Sequence, residues 1–277
     1  MIDRARLLAM PPIIAEQTLS PRDVMLYALG VGAQELRFVY EEKLEALPMM
    51  AAVLGYPGFI WRDPAIGADW RRLLHAEQSL ELFGPLPVEG RVRGETRFLE
   101  IYDKGLEKGA VARTQRRIFD AAGNLLAVAE ATTFLRGDGG CGGPSGAAPP
   151  PQPIPDRPPE LVLALPSAAN QALLYRLSGD YNPLHVDPEA AHAAGFDRPI
   201  LHGLCTYALA GRAVLAALLD NQPQRLRRLD ARFSAPFHPG ETLEVRLWRE
   251  GAETAVFQAY AAERGVKVLD NGRAAFA

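Results

Sequence analysis

Cysteine is scarce in this chain. Cys141 and Cys205 are the two among 277 residues, so there is neither a disulfide framework nor a Cys-x-x-Cys metal site, and a reducing compartment such as the cytoplasm fits. Basic runs are missing as well. Thirty Lys and Arg stand against 33 Asp and Glu, a net charge of -3, which excludes the clustered cations that neutralising a nucleic-acid backbone requires. Local groups such as Arg225-Leu-Arg-Arg228 still suit a small anionic ligand. Long apolar runs are also lacking: the longest helical one, Gly203 to Leu219, carries Arg212 and falls short of a membrane span, so it reads as a buried core helix. The segment Met1 to Pro12 mixes Asp3, Arg4 and Arg6 with few consecutive apolar residues, unlike a secretory leader. The final Ala275-Phe-Ala277 is no peroxisomal address. The expectation is a cytoplasmic protein that neither enters a membrane nor binds nucleic acid.

What is present is enough apolar sequence, 48% of residues, to bury a core larger than that of one typical domain. Ser20-Pro21-Arg-Asp23 opens a helix with a capping residue and proline at its first position, and Val24, Leu26, Tyr27 and Leu29 give it an apolar face. Leu36 to Tyr40 reads as extended, and Leu47 to Leu54 as a short apolar helix stopped by Gly55. From His75 to Arg136 the pattern alternates in strands: Glu77 to Phe83, Val92 to Tyr102, Ala110 to Phe119 and Leu125 to Leu135, the last two joined at Asp120-Ala-Ala-Gly-Asn124. A helix followed by an antiparallel meander is the order of a hot-dog fold.

Residues 137–159 hold six glycines and eight prolines, a composition that makes no regular element and marks a linker. Beyond it the order repeats. Tyr27-Ala-Leu29 returns as Tyr175-Arg-Leu177, and Gly84-Pro-Leu-Pro87 as Ala235-Pro-Phe-His238. The helix Gly203 to Leu219 is then followed by strands over Arg228 to Phe233, Thr242 to Arg249, Ala255 to Ala262 and Val266 to Val268. The chain therefore reads as an α+β double hot-dog: residues 1–136, the linker, and residues 160–277, each unit a sheet wrapped around a central helix and the two paired as a pseudo-dimer. Further pairing into a homodimer is compatible with this arrangement.

Chemistry concentrates in Tyr175-Arg-Leu-Ser-Gly-Asp-Tyr-Asn-Pro-Leu-His185 and in Pro199-Ile-Leu-His-Gly203. Asn182-Pro183 breaks any helix, so Asp180 and His185 share one short irregular loop. The order of an aromatic residue, Ser-Gly-Asp, any residue, Asn-Pro, an aliphatic residue and His resembles the signature of the MaoC-like, type 2 enoyl-CoA hydratases. That resemblance implies a lyase adding water to a trans-2-enoyl-CoA to give a (3R)-hydroxyacyl-CoA, with no cofactor beyond the thioester substrate. It also implies that the C-terminal unit supplies the catalytic pair and the degenerate N-terminal unit the acyl pocket. Aligning the halves at their tyrosines sets Asp180 opposite Gly32 and His185 opposite Arg37, so one pseudo-dimer carries one site.

Asp180 and His185 are assigned jointly to water activation and proton transfer, with the first proton acceptor left open between them. Asn182 is expected to orient the loop, and Gly203, at a helix entry, to offer its N–H to the thioester oxygen. Lys104 and Lys108 are candidates for the CoA phosphates, against the simpler reading of a solvated charged turn. His202 reads as lining the site or as buttressing the helix, and His192 as a surface residue. A metal cluster of His185, Asp187, His192 and His202 is set aside, because the spacing lacks the helical pairing of histidines. Ser178 lacks the strand-turn-helix setting of a nucleophile. The alternatives are a hot-dog acyl-CoA thioesterase and a non-catalytic acyl-thioester-binding protein.

Overall fold

The computed structural model describes residues 2–146 and 153–277. Its strands form one ten-stranded antiparallel sheet in the order β1-β3-β4-β5-β2-β7-β10-β9-β8-β6. In the first half these are β1 (Ile13–Leu19), β2 (Leu73–Leu82), β3 (Gly90–Asp103), β4 (Ala110–Asp120) and β5 (Leu125–Leu135). In the second half they are β6 (Leu161–Pro166), β7 (Leu226–Phe233), β8 (Thr242–Arg249), β9 (Thr254–Ala261) and β10 (Val266–Phe276). The order 1-3-4-5-2 recurs as 6-8-9-10-7, and the two copies meet head to head where β2 pairs with β7. Duplication is therefore written into the topology as well as the sequence. At that seam Glu77 lies opposite Arg232 and Glu81 opposite Arg228, opposite charges that fix the register of the joint.

The helices comprise α1 (Arg4–Ala9), α2 (Pro21–Gly30), α3 (Leu36–Val39), α4 (Gln171–Tyr175), α5 (Pro188–Ala193) and α6 (Gly203–Leu218). The α2 start is the expected one, with a capping box between Ser20 and Asp23. Where α2 and α4 cross, the two aligned tyrosines face each other, Tyr27 and Tyr175, with ring centroids 6.0 Å apart. Gly30 is required there: a Cβ would stand 3.2 Å from the Tyr175 Cα. The Gln171 amide seals the crossing by donating to the carbonyls of Leu29 and Gly30.

Helix α6 is apolar nearly all round and buries Cys205 through Gly211, Ala213, Val214, Leu215 and Leu218. A helix of this kind belongs in a core, and each leucine so enclosed contributes about 1.5–3 kcal/mol. Its counterpart in the first half is reduced to a single 3-10 turn, Pro48–Ala52, where Pro48 removes a donor and the chain stops at Gly55. Among the described residues the two units therefore share one long helix, and the 3-10 turn packs against β2 and β5 of the first half. No helix among the described residues is long and apolar enough to cross a membrane.

Two local expectations are corrected. Leu36 to Val39 is a helical turn rather than extended, since it closes back onto α2. Strand β10 runs on to Phe276 instead of ending at Val268, because Asp270-Asn271-Gly272 is a bulge within the ladder and not a turn. There Asn271 takes φ 51°, and the Phe257 ring fills the space a Gly272 side chain would need. The Gly/Pro-rich stretch holds no helix or strand among its described residues, and its start is tied down: Gly140 and Gly142 donate to the Asp103 carboxylate, and the Cys141 side chain packs against the satellite core of Trp61 and Phe98. Residues 147–152 of that linker lie outside the described residues.

Candidate active site

The loop after α4 builds the site from local turns. Gly179 takes φ 116°, a conformation that suits glycine, and so turns the chain to present Asp180. The Asp180 carboxylate accepts from the Asn182 N–H at 3.2 Å, and the Asn182 side chain in turn accepts from the Leu184 N–H at 3.2 Å. Asn182 thus caps the 3-10 turn Pro183–His185. It is itself exposed and acts on the site by fixing the turn that carries His185.

His185 is buried. Its Nδ1 lies 2.9 Å from the Ile200 carbonyl, and since a carbonyl can only accept, Nδ1 holds the proton and Nε2 presents its lone pair. Burial lowers its pKa, partly opposed by the Asp180 charge and the bond to Ile200. His202 stacks on it, with ring centroids 3.7 Å apart and planes at 27°. The His202 Nε2 lies 3.1 Å from the Asp180 carbonyl, while its Nδ1 is buried without a partner. Burial, and next the neighbouring His185, hold the His202 pKa far below the usual imidazole value. Both rings are therefore neutral near pH 7.

One side-chain donor atom from each of Asp180, His185 and His202 lies within 4.8 Å of the others. Two acceptors at that separation accommodate one water hydrogen-bonded to both, at about 2.8 Å from each. The same trio could ligand a metal ion, whereas the four-residue metal set considered from sequence is dispersed. His192 is exposed with Nε2 on the Asp197 carbonyl, and Asp187 caps α5.

Gly203 is the first residue of α6, with His202 at the cap, so its N–H belongs to the turn that has no intrahelical acceptor. A Cβ there would meet the Phe233 ring at 3.2 Å. Glycine consequently serves close packing as well as access.

The first half contributes side chains that sequence reasoning missed. His75, where β2 is bulged, meets the Phe233 ring at 4.8 Å with the planes tilted by 54°, and binds the Glu77 carbonyl. Burial lowers its pKa to about 4, against the opposing influence of Asp180. Burial, and after it the charge of Asp180, raise the Tyr56 pKa to about 12. Arg116 lies over the Tyr56 ring at 5.2 Å. The charge of Asp180 is thus felt by His75 and Tyr56 of the first half as well as by His185 and His202 of the second. Nothing local in the sequence marks these first-half residues, because the β2–β7 seam and the loop after Gly55 bring them in from far along the chain.

Lys104 and Lys108 are not gathered into this cluster. The Lys104 ammonium donates to the carbonyls of Ser145 and Gly146, and Lys108 is exposed on the same β3–β4 turn. The cation beside the site is Arg198, which with Ala169, Leu173, Val186 and Pro199 lines a surface cleft that reaches His185.

Residues 151–271 match the family described as MaoC like domain, and residues 18–137 match that described as MFE-2 hydratase 2 N-terminal domain. The chain is 40% identical over 270 residues to "Probable enoyl-CoA hydratase 2" of Dictyostelium discoideum, covering 93% of this chain and 90% of the relative. It is 40% identical over 257 residues to "Enoyl-CoA hydratase ChsH3" of Mycobacterium tuberculosis, covering 87% of each. Among solved structures, a MaoC-like dehydratase from Phytophthora capsici superposes with a TM-score of 0.90 at 36% identity, over 99% of this chain and 98% of that one.

Proposed function

Because this chain belongs to the MaoC-like hydratase family through both of its halves, we propose that it hydrates trans-2-enoyl-CoA reversibly to (3R)-hydroxyacyl-CoA. The observation that carries the mechanism is the proximity of the Asp180 carboxylate to a neutral His185, with side-chain ligand atoms within 4.8 Å of each other, a separation that one bridging water spans. Water is too weak an acid to attack unaided near neutral pH, and a positioned base typically contributes about 10²–10⁴-fold. As the water oxygen bonds to C3, one of its protons passes to the Asp180–His185 pair. The C2–C3 π electrons move toward the thioester carbonyl, and a proton then returns to C2.

The Gly203 N–H, at the positive end of a 16-residue helix, is aimed at the enolate oxygen that develops. Asn182 holds the turn, and His202 packs the His185 ring in place. The Arg198 cleft, rather than the Lys104–Lys108 turn, suits the CoA phosphates. The step needs no cofactor besides the thioester itself. Two free cysteines suit a cytoplasmic setting.

The test follows loss of the conjugated enoyl absorbance while free thiol is monitored, for wild type and Asp180→Asn. Absorbance loss without thiol release, reduced at least about 100-fold by the substitution, is the expected result. Release of thiol at the rate of absorbance loss would instead identify a thioesterase.

A further inference from the structure

The inner faces of the two half-sheets differ in kind. In the second half the face over α6 is apolar, with Leu243, Val245, Phe257 and Ala259 all buried. In the first half, where a 3-10 turn replaces the helix, the corresponding face carries Thr96, Thr114, Arg116 and Gln78, each less than a tenth exposed. Thr96 and Arg116 are direct partners across β3 and β4 and so share that face.

Arg116 is 8% exposed. It appears in no ion pair among the described residues; its Nη2 donates to the Ala52 carbonyl and its guanidinium lies against Tyr56. The Arg116 Nε and the Thr96 Oγ1 are both buried without a hydrogen-bond partner. Burial draws the guanidinium pKa down to about 10, so the group is still a cation at neutral pH. A buried cation without an anion is costly, and one carbonyl and one ring compensate it only in part. The missing component is an anion with two acceptor atoms, which the guanidinium fork is shaped to receive. Tyr56, whose ring lies 5.2 Å from the guanidinium, feels the charges of both Arg116 and Asp180, so the unpaired cation lies in the electrostatic neighbourhood of the candidate site.

We propose that the preferred substrate is a 2-enoyl thioester whose acyl chain ends in a carboxylate, received by Arg116 with Thr96 beside it. This rests on the hydratase reading above and assigns its substrate class. In the complex the carboxylate accepts from the Arg116 Nε–H and a second guanidinium N–H, and the Thr96 hydroxyl donates to it.

The experiment compares kcat/KM for 2-enoyl-CoAs of matched lengths, methyl-ended and carboxyl-ended, in wild type, Arg116→Met and Arg116→Lys. Wild type is expected to favour the carboxyl-ended series by about tenfold or more at one length. Arg116→Met should lower that ratio by about tenfold or more, mainly through KM, and Arg116→Lys should retain part of it. A methyl-ended preference in wild type at every length would overturn the proposal, as would a ratio unmoved in Arg116→Met. Should Arg116→Met fail to fold by circular dichroism, the wild-type and Arg116→Lys ratios decide alone. If no enoyl thioester is hydrated at all, it is the hydratase reading that fails. Calorimetric binding of saturated methyl-ended and carboxyl-ended acyl-CoAs to wild type then decides on Arg116 separately, equal affinities counting against it.

Discussion

At the scale of single residues, the site turns on whether its histidines are neutral. Burial lowers the His185 pKa below 6.5 and outweighs the attraction of Asp180. A base must be unprotonated to act, so the acid limb of kcat/KM is expected to have its midpoint below pH 6.5. A midpoint above that value would mean that the Asp180 carboxylate dominates. Stability follows the same sign. His75 and His202 are held neutral in the fold, His75 with a pKa of about 4, yet titrate near 6.5 when unfolded. Below pH 6.5 the unfolded chain therefore binds more protons, and stability is lost as pH falls from 6.5 toward 4. Thermal melts across that window should show Tm dropping by several degrees, whereas a flat profile would show that these rings are solvated. The sequence made Asp180, Asn182 and His185 legible because they lie on one contiguous loop. His202, open in the sequence between lining the site and buttressing the helix, stacks on His185 within the cluster. Tyr56, His75 and Arg116 were illegible, since their neighbours in space are set by pairing between distant strands.

At the scale of elements, the first half depends on a close backbone approach that glycine alone permits. Gly55 follows the short 3-10 turn at φ 54°, and a Cβ on Gly94 of β3 would lie 2.0 Å from the Gly55 carbonyl oxygen. Backbone cannot yield as a flexible side chain can. Gly94→Ala should therefore destabilise the protein by about 1–3 kcal/mol in urea titration, and it should lower activity further by pushing Tyr56 away from Asp180. An unchanged midpoint would show that the loop after Gly55 moves freely. This contact also explains part of what the sequence concealed. Gly55 was legible as a helix stop, but its role in seating Tyr56 depends on a strand almost forty residues away. The buried alternation of β3, β4 and β5 was plain from period-two patterning. The edge strands β1 and β6 are half-buried and escaped notice because one polar and one apolar face of six or seven residues resembles a loop.

At the scale of the whole molecule, duplication has left one site where two would be symmetric. The place in the first half aligned with Asp180 is Gly32, at φ 74°, where a Cβ would stand 3.3 Å from the Arg212 guanidinium reaching out from α6. Arg212 donates to the Val31 carbonyl and pairs with Glu35 at 3.4 Å. Opposite His185 is Arg37, which binds the Asn221 carbonyl and pairs with Glu45. The Arg212–Glu35 ion pair and the Arg37–Asn221 hydrogen bond, both joining the halves, thus stand where an Asp180–His185 pair would be repeated, and α6 packs against strands of both half-sheets. Calorimetric titration with a hydroxyacyl-CoA product should consequently give one molecule bound per chain. Binding should be abolished or sharply weakened by Gly203→Val, which drives a branched side chain into the Phe233 ring and blocks the helix entry. Two molecules per chain of equal affinity would mean that the first half still holds a thioester in its own right, and the degenerate unit would have to be read as a second binding site instead of as the wall of the first.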